Sequence, residues 1–222
     1  MSSVIDVQIA AVVLAAGRSQ RMGQPKMVLP WGDTTVIGQV VRTLSHANLR
    51  EIIIVTGGAR QDVEAALKEF PVRTAWNSRF AEDQMTLSLR VGLASLPTQI
   101  DAALIVLGDQ PQIQLEVVQQ VLRGYQASRA LLVFPSYQMR RGHPWIIARQ
   151  LWGVLGDASL TERENPENKS VPSLLRDILR IYANQISYVE VGNDSILRDV
   201  DTPADYLRER PGEGLAPDHE KM

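Results

Sequence analysis

The chain predicts an α/β fold with a mostly parallel central sheet and helices on both faces, and three observations carry that prediction. Three short apolar runs, Ile9–Ala15 (IAAVVLA), Ile52–Val55 (IIIV) and Ala102–Leu107 (AALIVL), are rich in aliphatic residues and apolar on both faces. Strands covered on both sides of a parallel sheet have this pattern. Glycine follows each run closely, at Gly17, Gly57–Gly58 and Gly108. Helical patterns lie between the runs, so strand and helix alternate.

The elements follow in order. After the first strand, Thr34 and Thr35 can cap a helix whose Val36, Val40, Val41 and Leu44 share one face. Gln61–Phe70 gives a second helix through Val63, Ala66, Leu67 and Phe70, and Thr86–Leu96 a third. The second half is less regular. Ala130–Phe134, Trp145–Ile147 and Ile186–Val191 read as strands, and Ser173–Ile181 as a helix. Residues 156–172 are polar and punctuated by proline, the composition of a mobile loop. From Glu209 onward, ERPGEGLAPDHEKM reads as a disordered tail. No repeat or linker divides the rest, so residues 1–208 are expected to form one domain.

Composition excludes several classes of function. With 222 residues, 45% apolar and 22% charged, the chain has ample material for a core. A net charge of -2 does not suit a molecule built to grip nucleic acid. The absence of cysteine removes disulfides, thiolate metal sites and a cysteine nucleophile. The start, MSSVIDVQ, lacks the basic region of a signal peptide, and no apolar run approaches the length of a bilayer span. A cytoplasmic protein without membrane partners is therefore expected.

Ligands of open α/β sheets sit at the carboxyl ends of the strands, which directs attention to the loop after Ile9–Ala15. Gly17 and Gly23 let backbone amides approach a ligand, and Arg18, Arg21 and Lys26 add positive charge. Amides with cations make an anion site, best suited to a polyphosphate. Neither GxxxxGK[ST] nor a GxGxxG first turn is present, which argues against a P-loop NTPase and against a standard dinucleotide fold.

This loop, LAAGRSQRMGQPK (Leu14–Lys26), resembles the signature of nucleotidyltransferases, LAAGxSxRMGxPK. Within them it is most similar to the molybdenum-cofactor cytidylyltransferases and their MobA-like relatives. Four further segments follow in the order of that family: NSRFAEDQMTLSLRVGL (Asn77–Leu93), VLGDQP (Val106–Pro111), RRGHPWII (Arg140–Ile147) and RDVDTPADY (Arg198–Tyr206). The ordered set covers most of the chain. It implies a Rossmann-like three-layer sandwich of the nucleotide-diphospho-sugar transferase type.

The resemblance also implies a reaction and a set of roles. A nucleotidyl group would pass from an NTP to a phosphorylated acceptor with release of pyrophosphate. Arg21 and Lys26 would contact the triphosphate and, with Asp109, serve catalysis. Leu14, Ala15, Ala16, Gly17 and Ser88 would line the nucleotide, with Asn77 a further candidate. Asp109 and Asp201 would hold Mg²⁺, an oxygen-seeking ion. Arg141, Gly142 and His143 would face the acceptor. Each residue also has a plainer reading: Arg21 and Lys26 as solvated loop charges, Ser88 as a surface hydroxyl, His143 as a core histidine. Asp109 could be a turn residue in GDQP, and Asp201 a cap for a helix beginning near Pro203. The four tryptophans read as packing residues. The LAAG form resembles cytidylyl members, whereas guanylyl members carry LAGG, so CTP is the expected donor. Molybdopterin is the expected acceptor, with a molybdenum enzyme as partner. After Gly156 the chain lacks the GDxGAR-like segment of molybdenum-cofactor members, which leaves other phosphorylated acceptors open. A nucleotide-binding chaperone without turnover is the alternative from another class, with an NAD-dependent oxidoreductase third.

Overall fold

A computed structural model describes residues 7–82, 84–156 and 173–211. The strands are β1 (Ile9–Ala15), β2 (Pro30–Trp31), β3 (Thr34–Thr35), β4 (Ile52–Thr56) and β5 (Arg73–Trp76). They continue as β6 (Ala102–Leu107), β7 (Leu132–Tyr137), β8 (Arg140–Arg141), β9 (Trp145–Ala148) and β10 (Ile186–Glu190). The helices are α1 (Val36–Ser45), α2 (Arg60–Ala66), α3 (Met85–Ala94), α4 (Leu115–Ser128), α5 (Trp152–Gly156), α6 (Ser173–Ile181) and α7 (Pro203–Glu209).

The main sheet runs β10-β7-β9-β6-β1-β4-β5, with β8 added to β7 and a small β2–β3 hairpin outside it. Strands β6, β1, β4 and β5 are mutually parallel, as are β7 and β10, while β9 is antiparallel to both of its neighbours. The predicted class therefore holds, with β9 and the short β8 inverted in a mostly parallel sheet.

Alternation along β1 divides the core. Ala11, Val13 and Ala15 join the layer beneath α1, α2 and α4, whereas Ala10, Val12 and Leu14 join the layer beneath α3, α5 and α6. All seven β1 residues are buried, and each fully buried Ile, Val or Leu side chain contributes about 1.5–3 kcal/mol. Helix α3 lies especially close to β1. A Cβ at Gly92 would stand 2.2 Å from Val12 Cγ1, so only glycine permits that approach. Ser88, one turn earlier on the same face, is thereby carried over the carboxyl end of β1.

Several boundaries differ from the sequence reading. Helix α1 begins as expected, with the Thr35 hydroxyl accepting from the Gly38 N–H at 3.1 Å. Helix α2 ends at Ala66 rather than Phe70, because Pro71 turns the preceding residue away from helical geometry. Strand β7 starts later than Ala130 and continues through Pro135. The Pro135 carbonyl accepts from the Gly142 N–H at 3.3 Å. Its missing N–H thus faces the irregular link after β8 rather than β10. Edge strand β5 and helix α4 were not anticipated. Glu209, expected to open the tail, instead closes α7 and pairs with Arg198 at 2.9 Å; residues 212–222 lie outside the described residues. So do residues 157–172, which carry nearly all of the predicted loop. Among the described residues, no helix is long and apolar enough to cross a membrane.

Candidate active site

The loop leaving β1 is held by its own backbone. Ser19 adopts a left-handed conformation at φ 51°, and its carbonyl accepts from the N–H groups of Met22 and Gly23, each at 3.1 Å. Its hydroxyl accepts from the Lys26 N–H at 3.2 Å. Met22 is buried with Leu29, Trp31, Val36 and Val200. These anchors turn the loop back and bury Lys26, which is 7% exposed.

A second segment meets it from β6. The Gly108 N–H donates to the Leu14 carbonyl at 3.0 Å, which sets Asp109 beside the β1 loop. The Val200 N–H then donates to the Asp109 carbonyl at 2.9 Å. That bond draws Asp199 and Asp201, on either side of Val200, up to Asp109. Carboxylate oxygens of Asp109, Asp199 and Asp201 lie within 4.8 Å of one another.

The charges are tightly coupled. Lys26 Nζ donates to Asp109 Oδ2 and, at 2.6 Å, to Asp201 Oδ1. Arg21 reaches the other Asp201 oxygen at 2.6 Å. Burial pulls the Lys26 pKa down, but Asp109 and Asp201 outweigh it and hold the ammonium above its ordinary value. Burial, reinforced by the negative fields of Asp201 and Asp109, raises the Asp199 carboxyl. A raised proton affinity beside two other carboxylates marks a place that favours added positive charge. With only hard oxygen donors, the cluster fits a divalent cation of the Mg²⁺ or Mn²⁺ type.

These groups line a cleft of about 370 Å³ together with the uncharged Leu14, Asn77, Phe80, Met85, Ser88 and Leu107. Phosphates suit the charged groups and a neutral planar base the uncharged ones. The β4–α2 turn closes against the roof of the cleft. A Cβ at Gly57 would stand 2.4 Å from the Ala16 carbonyl oxygen and 2.8 Å from its Cα, and backbone cannot yield. Gly57→Ala is therefore expected to displace Ala16, raise the KM for nucleotide by roughly tenfold and cost about 1–3 kcal/mol of stability. Nucleotide titration beside a thermal melt checks this; an unaltered KM would refute it.

Of the residues singled out from sequence, Leu14, Ala16, Gly17, Arg21, Lys26, Ser88, Asp109 and Asp201 line the cleft. The Ala15 side chain does not; it is 3% exposed and belongs to the core. Arg141, Gly142 and His143 also lie outside the lining. Arg141 sits over the Phe134 ring at 5.6 Å, and the His143 N–H donates to the Ile196 carbonyl at 3.1 Å. Sequence reasoning missed Asp199 and Phe80. The D-V-D spacing was the available sign for Asp199, since alternate residues of an extended stretch share a side. Among the tryptophans, Trp31 and Trp145 are buried, but Trp76 is 52% exposed with Arg60 against its ring.

Desolvation lowers the His143 pKa to about 4. The folded chain thus favours the neutral imidazole. Its stabilising effect is complete above the unfolded pKa of about 6.5 and is lost as pH falls toward 4. The loss is on the order of 2–3 kcal/mol, discounted for partial solvent access. Melts between pH 7 and pH 4 should show a shallower decline for His143→Gln, and equal declines would discard this assignment.

A three-layer α/β domain with a cation-rich loop, a carboxylate cluster and a cleft lined by both at the strand carboxyl ends defines a nucleotidyltransferase class of protein. Residues 11–180 match the family model of the MobA-like NTP transferase domain, and the chain belongs to that family. It is 25% identical over 202 residues to the molybdenum cofactor cytidylyltransferase of Escherichia coli K12, covering 90% of this chain and 94% of that one. It is 30% identical over 145 residues to the nicotine blue oxidoreductase of Paenarthrobacter nicotinovorans, covering 63% and 70% respectively. The crystal structure of Rv0371c from Mycobacterium tuberculosis H37Rv superposes with a TM-score of 0.74 at 30% identity, covering 91% of this chain and 97% of that one. A structure of Rv0371c in complex with manganese superposes at 0.72 with 28% identity and the same coverage.

Proposed function

We propose that the protein is a divalent-metal-dependent cytidylyltransferase that moves CMP from CTP onto a phosphorylated acceptor, with molybdopterin the first candidate. The observation that carries this reading is the buried Lys26 ammonium held between Asp109 and Asp201 in the lining of the cleft. The name of the E. coli relative and the manganese bound by Rv0371c support the acceptor and the metal.

An acceptor phosphate oxygen attacks the α-phosphorus. A new P–O bond forms, the α–β bridging bond breaks, and pyrophosphate leaves with that electron pair. Asp109, Asp199 and Asp201 would hold the metal, which supplies positive charge against the triphosphate. Lys26 and Arg21 place further positive charge where negative charge gathers. The signature loop, fixed by Ser19, presents backbone to the nucleotide. The Arg141–His143 segment serves the acceptor. It runs back from β9, which pairs antiparallel with β6, toward the Leu107 end of that strand.

The test is a screen of four NTPs against phosphorylated acceptors with Mg²⁺ or Mn²⁺, reading pyrophosphate release. CTP with molybdopterin should give the highest kcat/KM. Release with another acceptor would reassign the acceptor alone. Nucleotide binding without release under every condition would favour a chaperone.

A further inference from the structure

The stretch that carries Asp199 and Asp201 has little backbone to hold it. Residues 198–202 are irregular. Among the described residues, the Val200 N–H to the Asp109 carbonyl is their one backbone bond to a distant segment. The demand on that stretch is high. Its two carboxylates stand beside Asp109, with oxygens within 4.8 Å of one another, and like charges so placed repel.

Helix α7 supplies a further hold. Thr202 caps it, and two reciprocal bonds lock that cap. The Asp205 N–H donates to the Thr202 hydroxyl at 3.2 Å, and the Thr202 N–H to the Asp205 carboxylate at 3.0 Å. Tyr206 follows one turn on, its N–H donating to the Thr202 carbonyl at 3.0 Å. Asp201 is therefore joined to Tyr206 through a single capped turn. The tyrosine then reaches the other wall of the site. Its hydroxyl donates to the Pro30 carbonyl at 2.6 Å, and its ring centroid lies 6.4 Å from that of Trp31. Pro30 and Trp31 form β2, which follows Lys26 after the single turn Lys26–Val28. Met22, beside Arg21, and Val200, beside Asp201, are buried in the small cluster against which Tyr206 packs. Among the described residues, Tyr206 is the only hydrophobic side chain of α7 in a core cluster. Its neighbour Leu207 is 62% exposed. The contacts close a ring from Lys26 through Trp31 and Tyr206 to Asp201, which returns to Lys26 at 2.6 Å.

We infer that Tyr206 is a positioning residue for metal binding, bracing Asp201 against the signature loop by a contact made outside the cleft. This rests on the metal-dependent reading above. Tyr206 is not among the residues lining the cleft, so its influence on a bound cation runs through Asp201. Ring and hydroxyl contribute differently. Apolar contact with Trp31 holds α7 down but is non-directional, whereas the bond to the Pro30 carbonyl fixes where along β2 the helix sits.

The test is calorimetric titration of Mn²⁺ into the intact chain with CTP present, beside a thermal melt of each variant. Tyr206→Phe keeps the ring and loses one hydrogen bond, so Mn²⁺ should bind about threefold more weakly. Tyr206→Ala loses both and should weaken Mn²⁺ by about tenfold or more. Leu207→Ala, on the exposed side of the same helix, should leave the affinity unchanged. Coupling identifies the route. In an Asp201→Ala background the further effect of Tyr206→Phe should vanish, because the carboxylate it positions is already gone. A merely structural tyrosine would lower the melting temperature of both variants and leave Mn²⁺ affinity alone, which overturns the inference. An undiminished effect in the Asp201→Ala background overturns it too, and in either case the transferase reading stands. Should Tyr206→Ala fail to fold, Tyr206→Phe and its coupling to Asp201 decide. Absence of Mn²⁺ binding to the unaltered chain, with and without CTP, overturns both.

Discussion

Asp109→Ala is expected to lower turnover by about two to three orders of magnitude while the chain stays folded. Asp109 combines two duties in one carboxylate: it contributes to the oxygen cluster with Asp199 and Asp201, and it holds Lys26 Nζ. Its loss removes one carboxylate from the cleft and frees the ammonium on one side. The scaffold should survive, because the bond that joins the C-terminal segment to this site runs from the Val200 N–H to the Asp109 backbone carbonyl. Alanine keeps that carbonyl. Lys26 also keeps Asp201 at 2.6 Å, so the buried charge is not orphaned and a stability loss of roughly 1–2 kcal/mol is expected. Asp109→Asn preserves shape and removes charge, and it should fall nearly as far in rate. The measurement is pyrophosphate release at saturating NTP and metal, beside a thermal melt of each variant. Near-wild-type turnover in the alanine variant would remove the carboxylate cluster from the mechanism.

Legibility in the sequence followed the number of faces a segment buries. β1, β4 and β6 were readable because both faces are covered, so their residues are apolar throughout. β5 escaped notice because it is the sheet edge and Arg73, Thr74 and Trp76 are exposed. α4 carries a sound apolar stripe, Val117, Val118, Val121, Leu122 and Tyr125. Its valines and internal glycine are poor helix formers, and burial against the sheet overrides that preference. The reversal of β9 leaves no mark on its apolar residues, since a strand buried on both faces reads alike in either direction. In the site, contiguous chemistry was legible: Arg21, Lys26, Ser88 and Asp109 stand in segments that the sequence singles out, and all four line the cleft. The resemblance implied that Asp109 and Asp201 meet; what went unread was the third carboxylate, Asp199, which the backbone bond from Val200 to Asp109 brings in from 90 residues away in sequence. The Ala15 side chain failed as a lining group because strand alternation turns it toward the α1 side of the sheet.

Lys26→Ala should lower kcat by roughly a hundredfold or more while weakening ground-state NTP binding only a few-fold. The compact ammonium matters most where charge builds during transfer, and Arg21 and the loop amides remain to hold the triphosphate. The carboxylates give a second, independent reading. In the unliganded chain, Lys26 occupies an oxygen of Asp109 and an oxygen of Asp201, the same groups that would hold the metal. Lysine and metal are therefore competitors until a triphosphate gives the ammonium another partner. Removing the lysine should tighten metal binding in the absence of nucleotide, by several-fold for Mn²⁺. Stability should respond in the direction set by the raised Lys26 pKa. The ammonium's contribution is fully present below the unfolded value near 10.5 and is lost as pH rises through the higher folded value. The unaltered chain should thus lose stability at strongly alkaline pH through this group, and Lys26→Ala should lack that component. Mn²⁺ titrations with and without CTP, set beside steady-state kinetics, separate these effects. A variant that keeps its kcat, or that binds Mn²⁺ more weakly than the unaltered chain, would show that Lys26 supports the carboxylates structurally instead of yielding them to the metal.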